Sequence, residues 1–217
     1  MSAAMKKLWA LVFGWNLVLL LAGAYVWSWV RDRYSGRGPI PYSAAGILRH
    51  PLRGIVHPVR RTLEQSHVAP GATVLELGPG TGYFSVEASR IIGAGGRLLC
   101  LDLQRPMLVD LAERLREAGV SNAHLVMADA THLPLADDKV DTAYLVTVIG
   151  EIPDRPAALS ELRRVLRSGG VLSFTESLTD PDYQLEDGLR DVCRATGFQP
   201  LEHIPGLLGY TMNFAAP

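Results

Sequence analysis

The chain has 217 residues, of which 48% are apolar, 20% are charged and 7% are aromatic, and its formal net charge is -1. These values are typical of one globular domain with a short additional segment, and they exclude a disordered, collagen-like or disulfide-stapled chain. The only cysteines, Cys100 and Cys193, are too few and too far apart for a zinc cluster or a disulfide framework. The sequence therefore predicts no metal site and indicates a reducing compartment.

An uncharged run occupies residues 8–30 and contains 23 residues. As a helix it would span about 34 Å at roughly 1.5 Å per residue, which exceeds the roughly 30 Å hydrocarbon core of a bilayer. Aromatic residues near both ends of the run resemble the belts of a spanning helix: Trp9, Trp27, Trp29 and Tyr34. We predict an N-terminal tail at 1–7 and an uncleaved transmembrane helix at 8–30. The alternative is a signal peptide cleaved after residues 22–24.

Basic residues follow this run directly. Residues 31–67 contain seven arginines against Asp32 and Glu64, whereas two lysines precede the run. The positive-inside rule then predicts a single-pass membrane protein with its large C-terminal part on the cytoplasmic side. The arginines either contact anionic headgroups or only set the topology. Glycines and prolines without hydrophobic periodicity indicate a basic juxtamembrane linker at 31–45.

Residues 46–217 are predicted to form one α/β domain. Two short amphipathic helices, the second beginning at Pro58, precede an alternation of apolar strands and longer helical stretches. Continuous apolar strands are typical of a parallel sheet covered on both faces, which indicates a doubly wound α/β fold. The predicted strands are 73–77, 97–101, 124–128, 142–146 and 171–175. The predicted helices are 83–92, 106–118, 155–166 and 185–196, followed by a terminal hairpin of 199–204 and 209–214 with Pro205-Gly206 between them.

A glycine-rich turn, Glu76-Leu77-Gly78-Pro79-Gly80-Thr81-Gly82, leads from the first predicted strand into a helix. At this position glycines let backbone amides approach a ligand beyond the strand ends. The dinucleotide fingerprint has its third glycine one place later, at Tyr83 here, and the Gly-Lys-Ser/Thr of a phosphate loop is absent. Asp102 ends the second strand, where a carboxylate can bind a ribose diol, and Asp129 ends the third. The three acids together form a much more specific pattern than any one alone.

These motifs resemble those of class I S-adenosylmethionine-dependent methyltransferases, over about residues 58–214. Residues 74–82 resemble the first motif of this family, residues 101–102 the second and residues 128–130 the third. Residues 166–172 resemble the turn before the family's fifth strand. Residues 102–108 and 150–154 are most similar to the ubiquinone and menaquinone methyltransferases, or methyltransferase type 11. The resemblance implies a Rossmann-like, doubly wound, seven-stranded sheet and S-adenosyl-L-methionine as cofactor.

The resemblance also implies roles for individual residues. Glu76 would help to position the amino acid end of the cofactor, directly or through water, and Asp102 would hold the ribose hydroxyls. Asp129 would accept a hydrogen bond from the adenine amino group, and Thr147 would face the methionine end. The remaining implied cofactor-binding residues contribute backbone or packing surface: Gly78, Pro79, Gly80, Gly82, Leu103, Met107 and Ala130.

Methyl transfer requires alignment of donor and acceptor and exclusion of water, and it requires a base only if the acceptor must lose a proton. Glu151 and Glu176 are the candidate catalytic residues. Weaker candidates are expected to face the acceptor as well: His50, His57, Tyr83, Tyr183, Tyr210 and Asn213.

The predicted anchor favours a lipophilic acceptor, such as a quinone precursor or another lipid, met at the membrane surface. One alternative is a small thiol, amine or phenol, and an alternative of another class is a non-catalytic cofactor-binding subunit of a membrane assembly. A nucleic-acid partner is disfavoured, because residues 68–217 carry an excess of acidic side chains and no Asn-Pro-Pro-Tyr-like motif follows the fourth strand.

Overall fold

The structure, a computed structural model, describes residues 38–44, 46 and 57–217. The predicted tail at 1–7, the predicted transmembrane helix at 8–30 and the first predicted amphipathic helix lie outside these residues, as does part of the predicted linker. Among the described residues, no helix combines the length and the apolar character needed to cross a membrane.

Seven strands form a single mixed sheet. They are β1 Thr73–Leu77, β2 Arg97–Asp102, β3 Ala123–Met127, β4 Val140–Val146, β5 Leu166–Ser177, β6 Gln199–Gly206 and β7 Gly209–Ala215. Their order is β3-β2-β1-β4-β5-β7-β6; β1 to β5 run parallel, and β7 is antiparallel to both β5 and β6. The predicted seven-stranded α/β fold is confirmed. Strand order reverses between β1 and β4, and such a reversal opens a crevice at the carboxyl ends of the strands.

Within residues 57–217, five α-helices connect or flank these strands: α1 Val59–Gln65, α2 Ser85–Ile92, α3 Arg105–Glu117, α4 Arg155–Val165 and α5 Glu186–Ala195. Two short 3₁₀ helices occupy Tyr42–Ala44 and Ile149–Glu151. Helix α1 follows Pro58, as predicted. The Asp154 side chain caps α4 by accepting a hydrogen bond from the Ala157 N–H at 3.0 Å, which satisfies one of the donors left free in a first turn.

The sheet carries an apolar core on each face. Because successive side chains of a strand point to opposite faces, neighbouring residues of one strand belong to different cores. Leu75 and Phe174 pack in the core that includes residues of α4 and α5. Val74 and Leu98 pack in the core that includes residues of α1, α2 and α3. Both faces are thus covered, which leaves the strand ends as the place for a ligand.

Most predicted boundaries lie within two residues of the observed ones, and three of the differences have a clear structural cause. Helix α2 begins at Ser85 rather than at residue 83, because the turn before it is still closing, with the Gly82 N–H bound to the Pro79 carbonyl at 3.0 Å. Strand β5 begins at Leu166, which pairs with Val140 ahead of a register shift. Strand β6 continues through Gly206, so the hairpin turn consists of Leu207 and Leu208 rather than Pro205-Gly206.

Candidate active site

A cleft of about 900 Å³ opens at the carboxyl ends of β1, β2 and β4. It is lined by the glycine turn after β1 and by the segments that follow β2, β3 and β4. Most residues expected to bind the cofactor share this cleft: Gly78, Pro79, Gly80, Asp102, Leu103, Met107, Asp129, Ala130 and Thr147. Glu76 and Gly82 are not among its lining residues. We refer to it as the cofactor cleft.

The glycine turn forms the floor of the cofactor cleft. Gly78 has a φ of 71°, in the left-handed region, and its N–H donates to the Leu101 carbonyl at 2.8 Å. A Cβ on Gly78 would lie 2.6 Å from a methyl carbon of Val148, so only glycine fits between the two loops. Gly82 lies behind the turn, where a Cβ would collide with the Leu111 side chain.

Asp102 joins two walls of the cleft. Its Oδ2 accepts a hydrogen bond from the Gly80 N–H at 3.2 Å, and its Oδ1 accepts one from the Gln104 N–H at 2.8 Å. The residue is 8% exposed. Burial raises the pKa of the carboxyl, and the backbone N–H donors oppose that rise. A carboxylate oxygen accepts more than one hydrogen bond, so Asp102 keeps acceptor capacity for ligand hydroxyls.

Asp129 lies at the exposed rim of the cleft. Its Oδ1 accepts from both the N–H and the hydroxyl of Thr131, each at 2.8 Å. These hydrogen bonds hold the pKa of the carboxyl below its usual range, because they stabilise the charged form. Asp129 therefore provides an ionised hydrogen-bond acceptor, fixed in position, at the rim of the cleft.

Glu76 lies beneath the turn rather than in the cleft lining. Its Oε2 accepts from the Ser85 hydroxyl at 2.6 Å and from the Cys100 thiol at 3.6 Å, and the residue is 2% exposed. The carboxyl thus ties β1 to β2 and to the first residue of α2. Its expected role at the amino acid end of the cofactor stays a prediction. From this position Glu76 would act indirectly, by supporting the glycine turn.

Thr147 lies immediately beyond β4 with a φ of 54°. A β-branched residue with positive φ is strained, and such strain concentrates at functional sites. Its N–H donates to the Thr175 carbonyl at 2.8 Å, which fixes the residue in the cleft wall. The expectation that Thr147 faces the methionine end fits this position.

The segment from Gly38 to Ala44 contacts the cleft, which the sequence interpretation missed by assigning it to the linker. Pro39 and Ile40 are among the lining residues. The Gln104 side-chain amide donates to the Ile40 carbonyl at 2.8 Å, and the Ile40 N–H donates to Glu151 Oε2 at 3.3 Å. We call residues 38–44 the strap. The only sequence feature that could have indicated this contact is Ile40, an apolar residue between Pro39 and Pro41.

Residues 75–174 match the family model described as Methyltransferase domain. The match includes the glycine turn, Asp102, Asp129, Thr147 and Glu151. Over this segment the chain is similar to methyltransferase domains. The methyl donor of such domains is S-adenosyl-L-methionine, and the cofactor cleft fits it: Gly78 leaves a cradle that a Cβ would fill, and Asp102 offers free acceptor capacity to a diol.

Individual proteins are similar to the chain over part of its length. The chain is 38% identical over 130 residues to the ubiquinone/menaquinone biosynthesis C-methyltransferase UbiE of Haemophilus ducreyi, covering 58% of this chain and 50% of that protein. It is 36% identical over 141 residues to UbiE of Vibrio campbellii, covering 62% and 54%. The chain thus spans about half the length of the curated relatives it matches. A SAM-dependent methyltransferase from Aquifex aeolicus has the same fold, with a TM-score of 0.78 at 19% identity over 82% of this chain and 100% of that one.

Of the two candidate catalytic carboxyls, only that of Glu151 belongs to a residue of the cofactor cleft. Glu151 lines the cofactor cleft, and burial, reinforced by the nearby Asp180, raises its pKa to about 8. Glu176 is among the residues that line a second cleft of about 910 Å³ between α1 and the β6–β7 hairpin. Its side chain, however, shares the strand face of Phe174, toward α4 and α5, on the side of the sheet away from α1. Burial also raises the pKa of Glu176 to about 8. We refer to the space between α1 and the β6–β7 hairpin as the second cleft.

Glu176 is 2% exposed and only partly hydrogen-bonded. Its Oε2 accepts from the Gln184 N–H at 3.1 Å, whereas its Oε1 has no hydrogen-bond partner among the described residues. The second cleft adjoins the cofactor cleft, because Thr147 of one and Thr175 of the other share a backbone hydrogen bond. The domain therefore has two neighbouring spaces at the same edge of its sheet.

Several weaker candidates make structural contacts. The Tyr210 hydroxyl donates to the Gln184 carbonyl at 2.7 Å, and the Asn213 amide donates to the Gln65 carbonyl at 2.8 Å. The Tyr83 hydroxyl donates to the His57 carbonyl at 3.4 Å. His57 and Tyr210 also line the second cleft, whereas His50 lies outside the described residues.

Proposed function

We propose that this protein transfers a methyl group from S-adenosyl-L-methionine to a lipophilic acceptor, a quinone precursor or another lipid, at the cytoplasmic face of a membrane. The observation that carries the proposal is the pair of adjoining clefts, one fitted to the donor and the other edged by apolar residues. The quinone-related names of the relatives and the predicted anchor at 8–30 support the same acceptor class.

The cofactor cleft would hold and orient the donor. S-adenosyl-L-methionine supplies a methyl group bonded to a sulfonium. Asp102 would accept from the ribose hydroxyls and Asp129 from the adenine amino group, while the glycine turn permits close approach of its backbone. Pro39 and Ile40 of the strap would exclude water from the cleft, and water exclusion strengthens every polar contact inside it.

The second cleft would hold the acceptor. Its floor includes Thr175 and Thr211, whose hydroxyls share a hydrogen bond at 2.9 Å, and its rim includes apolar residues of the hairpin: Ile204, Pro205, Leu207 and Leu208. The Glu176 side chain lies on the opposite face of β5, beside Gln184, so its role in transfer would be indirect. With a pKa of about 8, its carboxyl is mainly neutral at pH 7 and would place no charge beneath the acceptor.

The first test is incubation of the purified full-length protein with methyl-labelled S-adenosyl-L-methionine and a total extract of the host cells, followed by partition between organic and aqueous phases. We expect enzyme-dependent label in the organic phase, with a reaction that lacks the protein as the blank and a lower rate for the Asp102→Ala protein at limiting cofactor. Label in the aqueous phase alone would indicate a small thiol, amine or phenol. Absence of transfer to either phase would favour a non-catalytic subunit.

Deletion of residues 1–30 tests the role of the predicted anchor. We expect cofactor affinity to be unchanged, because the cofactor cleft is built from residues beyond this segment. Turnover of an acceptor embedded in vesicles should fall by at least about tenfold, because tethering raises the local concentration of enzyme at the membrane. The control is the same acceptor dispersed in detergent, which both proteins should methylate equally. Equal turnover in vesicles would contradict a catalytic role for the anchor.

A further inference from the structure

The β6–β7 hairpin ends in a turn made of two leucines. Gly206 pairs with Gly209, so Leu207 and Leu208 alone form the turn. Leu207 is 97% exposed and Leu208 is 42% exposed. A third leucine, Leu178, is 56% exposed and donates its N–H to the Leu208 carbonyl at 2.8 Å. We call Leu178, Leu207 and Leu208 the leucine tip.

The fold does not require leucine in this turn. Two-residue hairpin turns favour Asn-Gly, Asp-Gly and similar pairs, whose backbones or side chains suit the turn. Packing explains the flanking Gly209, because a Cβ there would collide with the Glu176 carbonyl. Leu207, by contrast, is almost entirely exposed to solvent. Neither Leu207 nor Leu208 has a positive φ, so the turn backbone accepts most residue types and does not select leucine. A group of exposed leucines that neither turn geometry nor packing requires indicates an interaction surface.

The surroundings of the leucine tip indicate the chemistry of its partner. Leu207 and Leu208 edge the second cleft, and Arg61 of α1 lies on that same cleft. Arg61 is exposed and has no ion-pair partner in the described part of the chain. Apolar side chains beside a free cation match the interface of a bilayer with anionic lipids.

Chain length adds an independent argument for a bilayer. Only residues 31–37 separate the predicted anchor from the strap, and seven residues reach at most about 25 Å when fully extended. The strap is bonded to Gln104 and Glu151 at the carboxyl edge of the sheet. The leucine tip lies at that same edge, since Gly209 pairs with Ser177 at the end of β5.

We propose that the leucine tip inserts into the bilayer leaflet on the domain's side of the anchor, with Arg61 at the anionic headgroups, and that the second cleft thereby opens toward the lipid. The inference rests on the membrane location in the proposed function. It adds to that function an insertion element and an entry side for the acceptor.

A fluorescent reporter at the tip tests this directly. An environment-sensitive thiol label is attached to Leu207→Cys in the full chain, which is placed in nanodiscs of phosphatidylcholine and phosphatidylglycerol. The native Cys100 and Cys193 are fully buried, so the label is site-selective. The matched control is Leu201→Cys, a 52% exposed position on the same hairpin and about 20 Å from the turn along the strand. We expect a blue shift and quenching by acyl-chain-brominated lipid for the label at 207 and neither for the label at 201.

Equal responses of the two labels would overturn the proposal, as would failure of the chain to associate with the nanodiscs. A label at 207 that responds to added soluble protein but not to lipid would assign the tip to a protein partner instead. The double variant L207N/L208G keeps a favourable turn, and it should abolish bilayer quenching of a label at Leu178→Cys while the unfolding temperature is maintained. Methyl transfer is measured separately. If the protein transfers methyl groups but the leucine tip does not insert, only the proposed insertion is contradicted. If the tip inserts but no methyl group is transferred, only the proposed function is contradicted.

Discussion

Replacement of Asp102 by alanine is expected to weaken binding of S-adenosyl-L-methionine by about 1–3 kcal/mol, or roughly 5- to 150-fold in Kd. The carboxylate would lose its own hydrogen bonds to the ribose. It would also release the N–H groups of Gly80 and Gln104, which it holds at 3.2 Å and 2.8 Å on opposite walls of the cofactor cleft. Isothermal titration calorimetry with the cofactor measures the effect.

The controls separate binding from folding. Asp102 also braces two loops, so thermal unfolding of the ligand-free variant is recorded, and titrations are made well below its unfolding temperature. Glu113→Ala, at an exposed position on α3 outside the cofactor cleft, should leave the affinity unchanged. An unchanged affinity for the alanine variant of Asp102 would remove this residue from the cofactor site.

Much of the fold was predictable because its signals are local. Strand β1 matches its predicted range, and the remaining strands were found within a few residues, except that β5 begins five residues early. That early start depends on pairing of Leu166 with Val140 from a distant strand. Similarly, the Leu207–Leu208 turn was not predicted, because Pro205-Gly206 is the stronger local turn signal.

The candidate site was likewise predictable only in part. The glycine turn, Asp102 and Asp129 lie at strand ends, so sequence order alone places them at one edge of the sheet. The strap was not predictable, because Ile40 meets Gln104 and Glu151 across 64 and 111 residues of chain. The orientation of Glu76 follows from strand alternation: it shares a face with Val74, toward α2, which is why its carboxyl meets Ser85.

Glu176 is expected to make the stability of the protein depend strongly on pH. Burial raises its pKa from 4.5 to about 8; Asp180 and Asp182 add to the rise, while Arg155 and the Gln184 N–H oppose it. Between these two pH values the folded protein keeps the proton that the unfolded chain has released. The free energy of unfolding therefore falls as pH rises from about 5 to about 8, and the contribution of Glu176 levels off above that range. Glu151, whose pKa is also raised to about 8, acts in the same direction.

Glu176→Gln isolates this contribution, because glutamine keeps the shape of the neutral carboxyl and cannot ionise. One pKa unit corresponds to about 1.4 kcal/mol, so the variant should become more stable than the parent by up to several kcal/mol near pH 8.5 and should differ little near pH 5. Urea unfolding at pH 5.5, 7 and 8.5 measures the difference, with Glu113→Gln on the exposed face of α3 as the control. Parallel pH profiles for the parent and the Glu176 variant would show that the buried carboxyl is ionised throughout, which would contradict its raised pKa.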